Sequence, residues 1–508
     1  MSVVDDPSRP PLSEPHTPTA LAEPDPTAAT TPPRSPKQAR SERPGGRPTS
    51  GLFRAFWRWH FYAAAVVVPV MFVLATTGLI YLFRFQIEPF VHSDLMRVDH
   101  TQGQLIQPYE TQLEQVTTAY PDATIVSMTE PDSPDTSTRF SLETATGQSL
   151  DVFVDPYNVK VLGALDPDST ISGTAVRVHA DLMAGRVGDT IMELGACWAI
   201  VMAITGYYLY FKGLRARRRQ RTTGTPHAKL RTTHARVGAV IGGGILLLVV
   251  SGLPWTGIWG EQVQKLATTN GTSLWGEDPG ALSNPTSTLD ESLPHSHHAI
   301  PWAQEKSGVP SSTPPAANAD QQSTANVDTA VELADRAGLS HPFTIALPAD
   351  EAGVYSVIGY AFNDPAREKT IHVDQFGGQV VSTYGYDQYS LLAKVVSQGI
   401  AVHEGRRFST LNMWLTTTFC LGIISSCITG PLMWWRRRPR GASQIGAPRG
   451  RMPIKANPLL AAVIIALGII LPVFGASLLL VLLVDHLVIR RSQRLTTITG
   501  STGAGQST

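Results

Sequence analysis

Four stretches of this chain, Phe61 to Phe83, Thr190 to Phe211, Ala235 to Trp255 and Leu411 to Trp435, are apolar over about 20 residues each, the helical length that crosses roughly 30 Å of hydrocarbon. Because a backbone in lipid must satisfy its own hydrogen bonds, they predict four transmembrane helices. A fifth apolar block, Pro458 to Ile489, exceeds one upright crossing and is interrupted by Pro472 and Gly475. It reads as one tilted helix or as two short helices folded back. Composition points the same way: 43% hydrophobic against 16% charged residues excludes a purely soluble chain. The 41 basic and 41 acidic residues cancel, and no nucleic-acid partner is expected. Cys197, Cys420 and Cys427 all lie in apolar stretches without CxxC or Cys/His spacing. They read as buried thiols, not as a disulfide framework or a zinc site.

Charge placement orients the spans. Residues 34 to 58 carry seven Lys and Arg, 212 to 231 carry eight and 436 to 455 carry seven, whereas Arg84 to Arg177 holds five basic against fourteen acidic residues. By the positive-inside rule the N-terminus and the short basic loops are cytoplasmic and the long segments are exported. Arg490, Arg491 and Arg494 favour a C-terminal hairpin that returns to the cytoplasm. The expected partition starts with a disordered, proline-rich cytoplasmic tail (1–50), a first transmembrane helix (51–84), an exported domain (85–178) and a second helix (179–213). A basic cytoplasmic loop (214–233), a third helix (234–258) and an exported linker with a second domain (259–402) follow. A fourth helix (403–436), a second basic loop (437–457), the C-terminal segment or hairpin (458–490) and a tail (491–508) complete it. Each exported segment shows a helical stretch, near Glu110 to Tyr120 and Val327 to Ala337, followed by strand signals bounded by Asp, Gly and Pro. Two small α+β domains are expected, with 279–326 as an exposed linker. His295, His297 and His298 in that linker offer a metal-capture cluster or, more plainly, a solvated histidine run.

The chain repeats itself, and the repeat carries histidines. His60 to Gly78 and His234 to Gly252 both span eighteen residues; His179 to Gly206 and His403 to Gly430 both span twenty-seven. At 1.5 Å per residue these separations are about 27 Å and about 40 Å. His60 and His234 therefore lie near the cytoplasmic face and His179 and His403 near the outer face. Interfacial histidines capping helices are one reading. The other follows from the matched spacing: two imidazoles from facing helices can clamp a haem iron, and two such haems would give electrons a route through the membrane. Gly78, Gly195, Gly238, Gly242, Gly243, Gly244 and Gly252 are small enough to let a macrocycle approach the helices.

Arg58-Trp-His60, Thr-Thr-Gly-Leu79, Val-His179, Ser-Gly-Leu-Pro-Trp-Thr-Gly-Ile-Trp-Gly260, Val-His403-Glu-Gly-Arg, Asn412 and Trp434-Trp-Arg-Arg-Arg-Pro439 resemble the PepSY-associated transmembrane proteins of the iron-regulated membrane protein group, over about residues 54 to 490. Val154-Asp155-Pro-Tyr and Val373-Asp374-Gln-Phe-Gly-Gly are similar to the final-strand turns of PepSY domains. The resemblance implies a polytopic helical protein of the bacterial plasma membrane with two extracytoplasmic PepSY domains. It also implies a reductase of ferric chelates or siderophores, with haem b, two per chain, held by His60, His234, His179 and His403. No GxGxxG follows a strand and the cytoplasmic loops are short, so the electron donor must be external, a soluble reductase or a membrane quinol. A non-enzymatic PepSY scaffold that binds or inhibits an extracytoplasmic partner such as a protease is the alternative, and a metal transporter a third. Transport fits poorly, because Glu193 is nearly the only acid in the four spans. Whether the chain forms a homodimer is left open.

Overall fold

The computed structural model describes residues 51–221, 226–269, 287–293, 300–312, 325–437 and 458–489. The expected tails, the second basic loop beyond Arg437 and the cluster His295, His297 and His298 lie outside the described residues. The first half runs α1 (Gly51–Leu82), α2 (Arg84–Val91), α3 (Ser93–Met96), α4 (Tyr109–Ala119), β1 (Thr124–Thr129), β2 (Thr138–Glu143), β3 (Ser149–Asp155), β4 (Lys160–Leu165), α5 (Ile171–Asp181) and α6 (Gly185–Arg221). The second runs α7 (Pro226–Gly252), α8 (Gly257–Thr269), α9 (Val327–Arg336), β5 (Phe343–Ala346), β6 (Val354–Gly359), β7 (Lys369–Asp374), β8 (Val380–Gly385), α10 (Leu391–His403) and α11 (Ser409–Arg437). The chain then forms α12 (Pro458–Ile470) and α13 (Pro472–Val484).

Helices α1, α6, α7 and α11 are long and apolar enough to cross a membrane, and each packs on two others to close a ring in that order. Val67, Met71, Ile241 and Ile423 fill the centre together with the three free, buried cysteines. Glycines set the spacing: a Cβ at Gly195, Gly244 or Gly422 would stand 2.4, 2.5 and 2.4 Å from Val70, Phe419 and Ile241. Most of the expected basic loop 214–233 is helix, because α6 continues to Arg221 and α7 starts at Pro226.

On one side of the bundle the two sequence repeats share a single antiparallel sheet of eight strands, in the order β4-β3-β2-β1-β5-β6-β7-β8. The seam is β1 against β5, with Ser127 opposite Ala346, Met128 opposite Ile345 and Thr129 opposite Thr344. Alternation within strands turns residues such as Phe140 and Leu142 inward. They join Ile345, Val357 and Ile371 beneath α4 and α9 in one core that crosses the seam. The two helices also cap each other: Asp328 accepts from the Tyr109 and Glu110 amides at 2.8 and 3.1 Å, and Glu110 accepts from the Val327 amide at 3.3 Å. Each carboxylate thus meets the positive end of the opposite helix.

The expected two small α+β domains are thus fused through one sheet and one core, and three further features depart from the expectations. Residues 287–293 and 300–312 are not exposed linker. Leu289, Leu293, Ile300 and Val309 cover Val354 and Ile358, and Trp302 packs with Tyr384, Tyr389 and Ile400; these apolar anchors outweigh a Pro- and Ser-rich composition. His179 and His403 do not begin the second and fourth spanning helices. They sit near the ends of α5 and α10, which turn away through left-handed residues, Leu182 and Met183 at φ 57 and 55 and Gly405 at φ 74. The C-terminal block is two helices broken at Leu471–Pro472; the first is about 20 Å long and the second, which continues as a π-helical turn over Asp485–Ile489, about 25 Å, each shorter than a full crossing. Gly475 folds onto Gly468, whose carbonyl oxygen a Cβ would meet at 2.4 Å. Trp198 and Trp259 hold this pair in place through Ser477 Oγ and the Ile470 carbonyl, both at 3.0 Å.

Candidate functional site

The four histidines singled out by the repeat have a common local construction. Each ring rests on a hydroxyl-glycine dipeptide of a neighbouring helix: His60 on Thr205-Gly206, His179 on Thr77-Gly78, His234 on Thr429-Gly430 and His403 on Ser251-Gly252. Nδ1 lies 3.3, 2.9, 3.0 and 3.2 Å from the respective hydroxyl oxygen. For His60 and His403 a backbone carbonyl is closer, Met202 O at 3.0 Å and Leu248 O at 2.9 Å. The glycines make room, since a Cβ at Gly206, Gly78, Gly430 or Gly252 would stand 3.2, 3.3, 3.7 and 3.0 Å from the ring Cε1.

This construction fixes the tautomer. Thr205, Thr77, Thr429 and Ser251 donate their only hydroxyl proton to the carbonyl one turn back, at 2.8, 2.8, 2.8 and 2.6 Å. Toward histidine each hydroxyl can then only accept, so Nδ1 must donate. A neutral ring held this way carries its lone pair on Nε2, the arrangement that second-layer partners impose on ligating histidines.

The rings fall into two pairs, each with one member from each half of the chain. His179 and His403, on the sheet side of the bundle, approach to 6.4 Å between ring centres with their planes at 80°. Trp255 packs edge-on against His403 at 5.9 Å. Both histidines line a cavity of about 780 Å³ whose lower walls include Met71, Leu74, Val249 and Ile423. At its other end Arg406, Glu404, Tyr360 and Glu368 supply polar groups. Arg406 pairs there with Glu404, both nearly fully buried, and donates to Phe362 O. His60 and His234, on the far side, are near enough to interact electrostatically, but no ring contact like that of the first pair joins them. No group of three or more His, Cys, Asp or Glu side chains suited to a bare metal ion occurs among the described residues.

The other residues named from the sequence have structural surroundings. Among the glycines expected to admit a macrocycle, Gly78 and Gly252 meet histidines, whereas Gly195, Gly242 and Gly244 face Val70, Tyr207 and Phe419 and pack helices together. Glu193 is fully buried and, with Asp189, accepts from the amides that open α8 at Gly257, Ile258 and Trp259. The roles of the four hydroxyls and of the polar end of the cavity do not follow from the sequence, although Thr77, Ser251, Glu404 and Arg406 lie in the stretches that carry the family resemblance. The hydroxyl-glycine dipeptide recurs four times and is a visible signal; Glu368 has no local signal.

A family model described as PepSY-associated TM region matches residues 57–437. No curated protein matches the chain.

Proposed function

This chain belongs to the PepSY-associated transmembrane family, and from that premise we propose that it is a haem-binding membrane reductase that delivers electrons to ferric iron in a chelate or siderophore outside the cell. The observation that carries the reading is the His179–His403 pair. One imidazole from each half of the chain stands at the cavity edge with 6.4 Å between ring centres, close enough for both to serve as ligands of one haem iron. The adjoining cavity, at about 780 Å³, has a cofactor-sized volume and mainly apolar lower walls. His179 and His403 would hold one haem b through Nε2. His60 and His234, which share the tautomer lock, would hold a second.

Haem at these positions supplies reversible one-electron carriage. The chain's own residues do the rest. Thr77, Ser251 and the Leu248 carbonyl keep the two proximal rings in the ligating tautomer. The apolar walls exclude water, and the buried Arg406–Glu404 pair closes the polar end without adding net charge. The distribution of Lys and Arg supports placing the sheet outside and His60 and His234 toward the cytoplasm. A soluble reductase or membrane quinol there gives up electrons, and ferric iron outside accepts them. Ferrous iron is a softer ion, held less tightly by hard oxygen donors, and leaves its chelate.

The test is an absorption spectrum of the purified full chain, oxidised and then reduced with dithionite, with haem counted per chain. Two low-spin haems per chain and oxidation of the reduced protein by a ferric chelate are expected. A colourless protein after expression with ample haem would sink the reading and favour a PepSY scaffold that binds an extracytoplasmic partner.

A further inference from the structure

We propose that Glu368 is a proton-binding site coupled to the electron accepted at the His179–His403 pair, so that each electron arriving there is accompanied by one proton bound at the Glu368 carboxylate. The inference rests on the haem reading above and adds to it a residue 35 or more positions from any of the four histidines.

Glu368 is 3% exposed and lines the same cavity as His179 and His403. The groups that face it are Arg406, Glu404, Asp364, Tyr360 and Tyr389. Arg406 is the one cation among them, and it is already ion-paired with Glu404. Glu368 is therefore a surplus buried carboxyl: ionised, it leaves an uncompensated negative charge in a medium that solvates charge poorly. Tyr389, itself held by Gln304 at 2.8 Å, offers it one long hydrogen bond of 3.4 Å. Burial pushes its carboxyl up to about 8 in spite of Arg406. The Ser397 hydroxyl, which lines the same cavity, is 3% exposed and has no hydrogen-bond partner, so the cavity holds a second polar group with unused capacity.

The charges balance. One electron from the donor converts ferric to ferrous iron, one proton from solvent on the sheet side converts the carboxylate to the acid, and the cavity's net charge is unchanged. The oxidised site, more positive by one charge, holds the Glu368 proton less tightly than the reduced site. The potential must then fall as pH rises between those two affinities and level off above the higher one.

The experiment is a redox titration of the purified full chain, followed by its haem absorbance from about pH 5 to pH 10. One of the two components should fall by about 59 mV per tenfold drop in proton activity, flattening above about pH 8. In Glu368→Gln that component should be flat with its spectrum unchanged, and the other component should match wild type. A haem spectrum with pH-independent potentials in wild type overturns this inference alone, whatever the variant does. A slope that survives in Glu368→Gln overturns the assignment to Glu368 and moves it to Glu305, a cavity carboxyl that burial pushes up to about 7. Absence of any haem absorption overturns the underlying reading and this inference with it.

Discussion

His179 and His403 meet ring to ring at the edge of a cavity, whereas His60 and His234, set on the same kind of hydroxyl-glycine dipeptide, do not touch. The two pairs separate what a local motif can do from what only tertiary structure can. The tautomer lock needs one neighbouring helix and is present at all four positions. The meeting of rings needs α5 and α10, short helices held between the bundle and the sheet. Glu88 of α2 anchors the start of α5 by accepting from Ser172 N and Oγ at 2.6 and 2.5 Å. The sheet-side pair is therefore tied to the folded state of the domains, and the far-side pair to the spanning helices alone.

The largest expected effect sharpens this division. His179→Ala or His403→Ala should remove one of two haems and leave the other, and His60→Ala or His234→Ala should remove the second, as read from haem per chain. Loss of both from one substitution in a folded protein would erase the distinction between the pairs. Removing a hydroxyl comes next. Thr77→Val and Thr429→Val, at the two rings whose closest acceptor is the hydroxyl, should weaken haem retention by about 10- to 100-fold, the usual cost of losing a partner behind a ligand. Thr205→Val and Ser251→Ala should cost less, because Met202 O and Leu248 O still hold their rings. Equal losses at all four, measured by haem transfer to an acceptor protein, would contradict the difference in acceptors.

A smaller and graded effect is expected from filling the glycines. Gly252→Ala, with 3.0 Å of clearance, should displace its ring most and Gly430→Ala, with 3.7 Å, least. The shift in the low-spin spectrum should follow that order. The smallest effect belongs to His341, which touches neither pair. It bonds Glu130 at 2.9 Å, across the sheet seam, and Asp335 at 2.7 Å. Burial pulls its pKa down, but its bonds to Glu130 and Asp335 outweigh that and leave it above 6.5. Its stabilising contribution is therefore full below pH 6.5 and fades as pH rises through the raised value. With the side chain 56% exposed, solvent screening holds this below about 1 kcal/mol. His341→Ala should lower the unfolding temperature slightly at pH 6 and hardly at pH 9, with both haem spectra unchanged.

The four spans were legible because lipid allows few structures to an apolar run of that length, and the repeat because equal spacings recur. The contacts behind the spacings were not. Counting along one helix joins His60 to Gly78, but His60 rests on Gly206 and it is His179 that rests on Gly78, because neighbouring helices supply each other's partners. The position of His179 departs from the expected helix start for a related reason: the twenty-seven residues to Gly206 are not one straight rise, because left-handed Leu182 and Met183 interrupt it. The apolar residues of 287–312 were hidden by their Pro- and Ser-rich surroundings. Glu368 becomes a neighbour of Arg406 only through folding, and nothing in its own local sequence announces it.

The seam between β1 and β5 also dictates a schedule for biosynthesis. Its facing threonines, Thr129 and Thr344, bond at 3.1 Å across a sequence separation of 215 residues, and two spanning helices, α6 and α7, are made in the interval. At 5–20 residues per second, a newly made β1 waits on the order of 10–40 s for its partner. Throughout that wait it presents an open edge of the kind that recruits the wrong strand. The nascent chain is thus most vulnerable when half made, and a ribosome that stalls between α6 and β5 should yield a product prone to pair with its own copies.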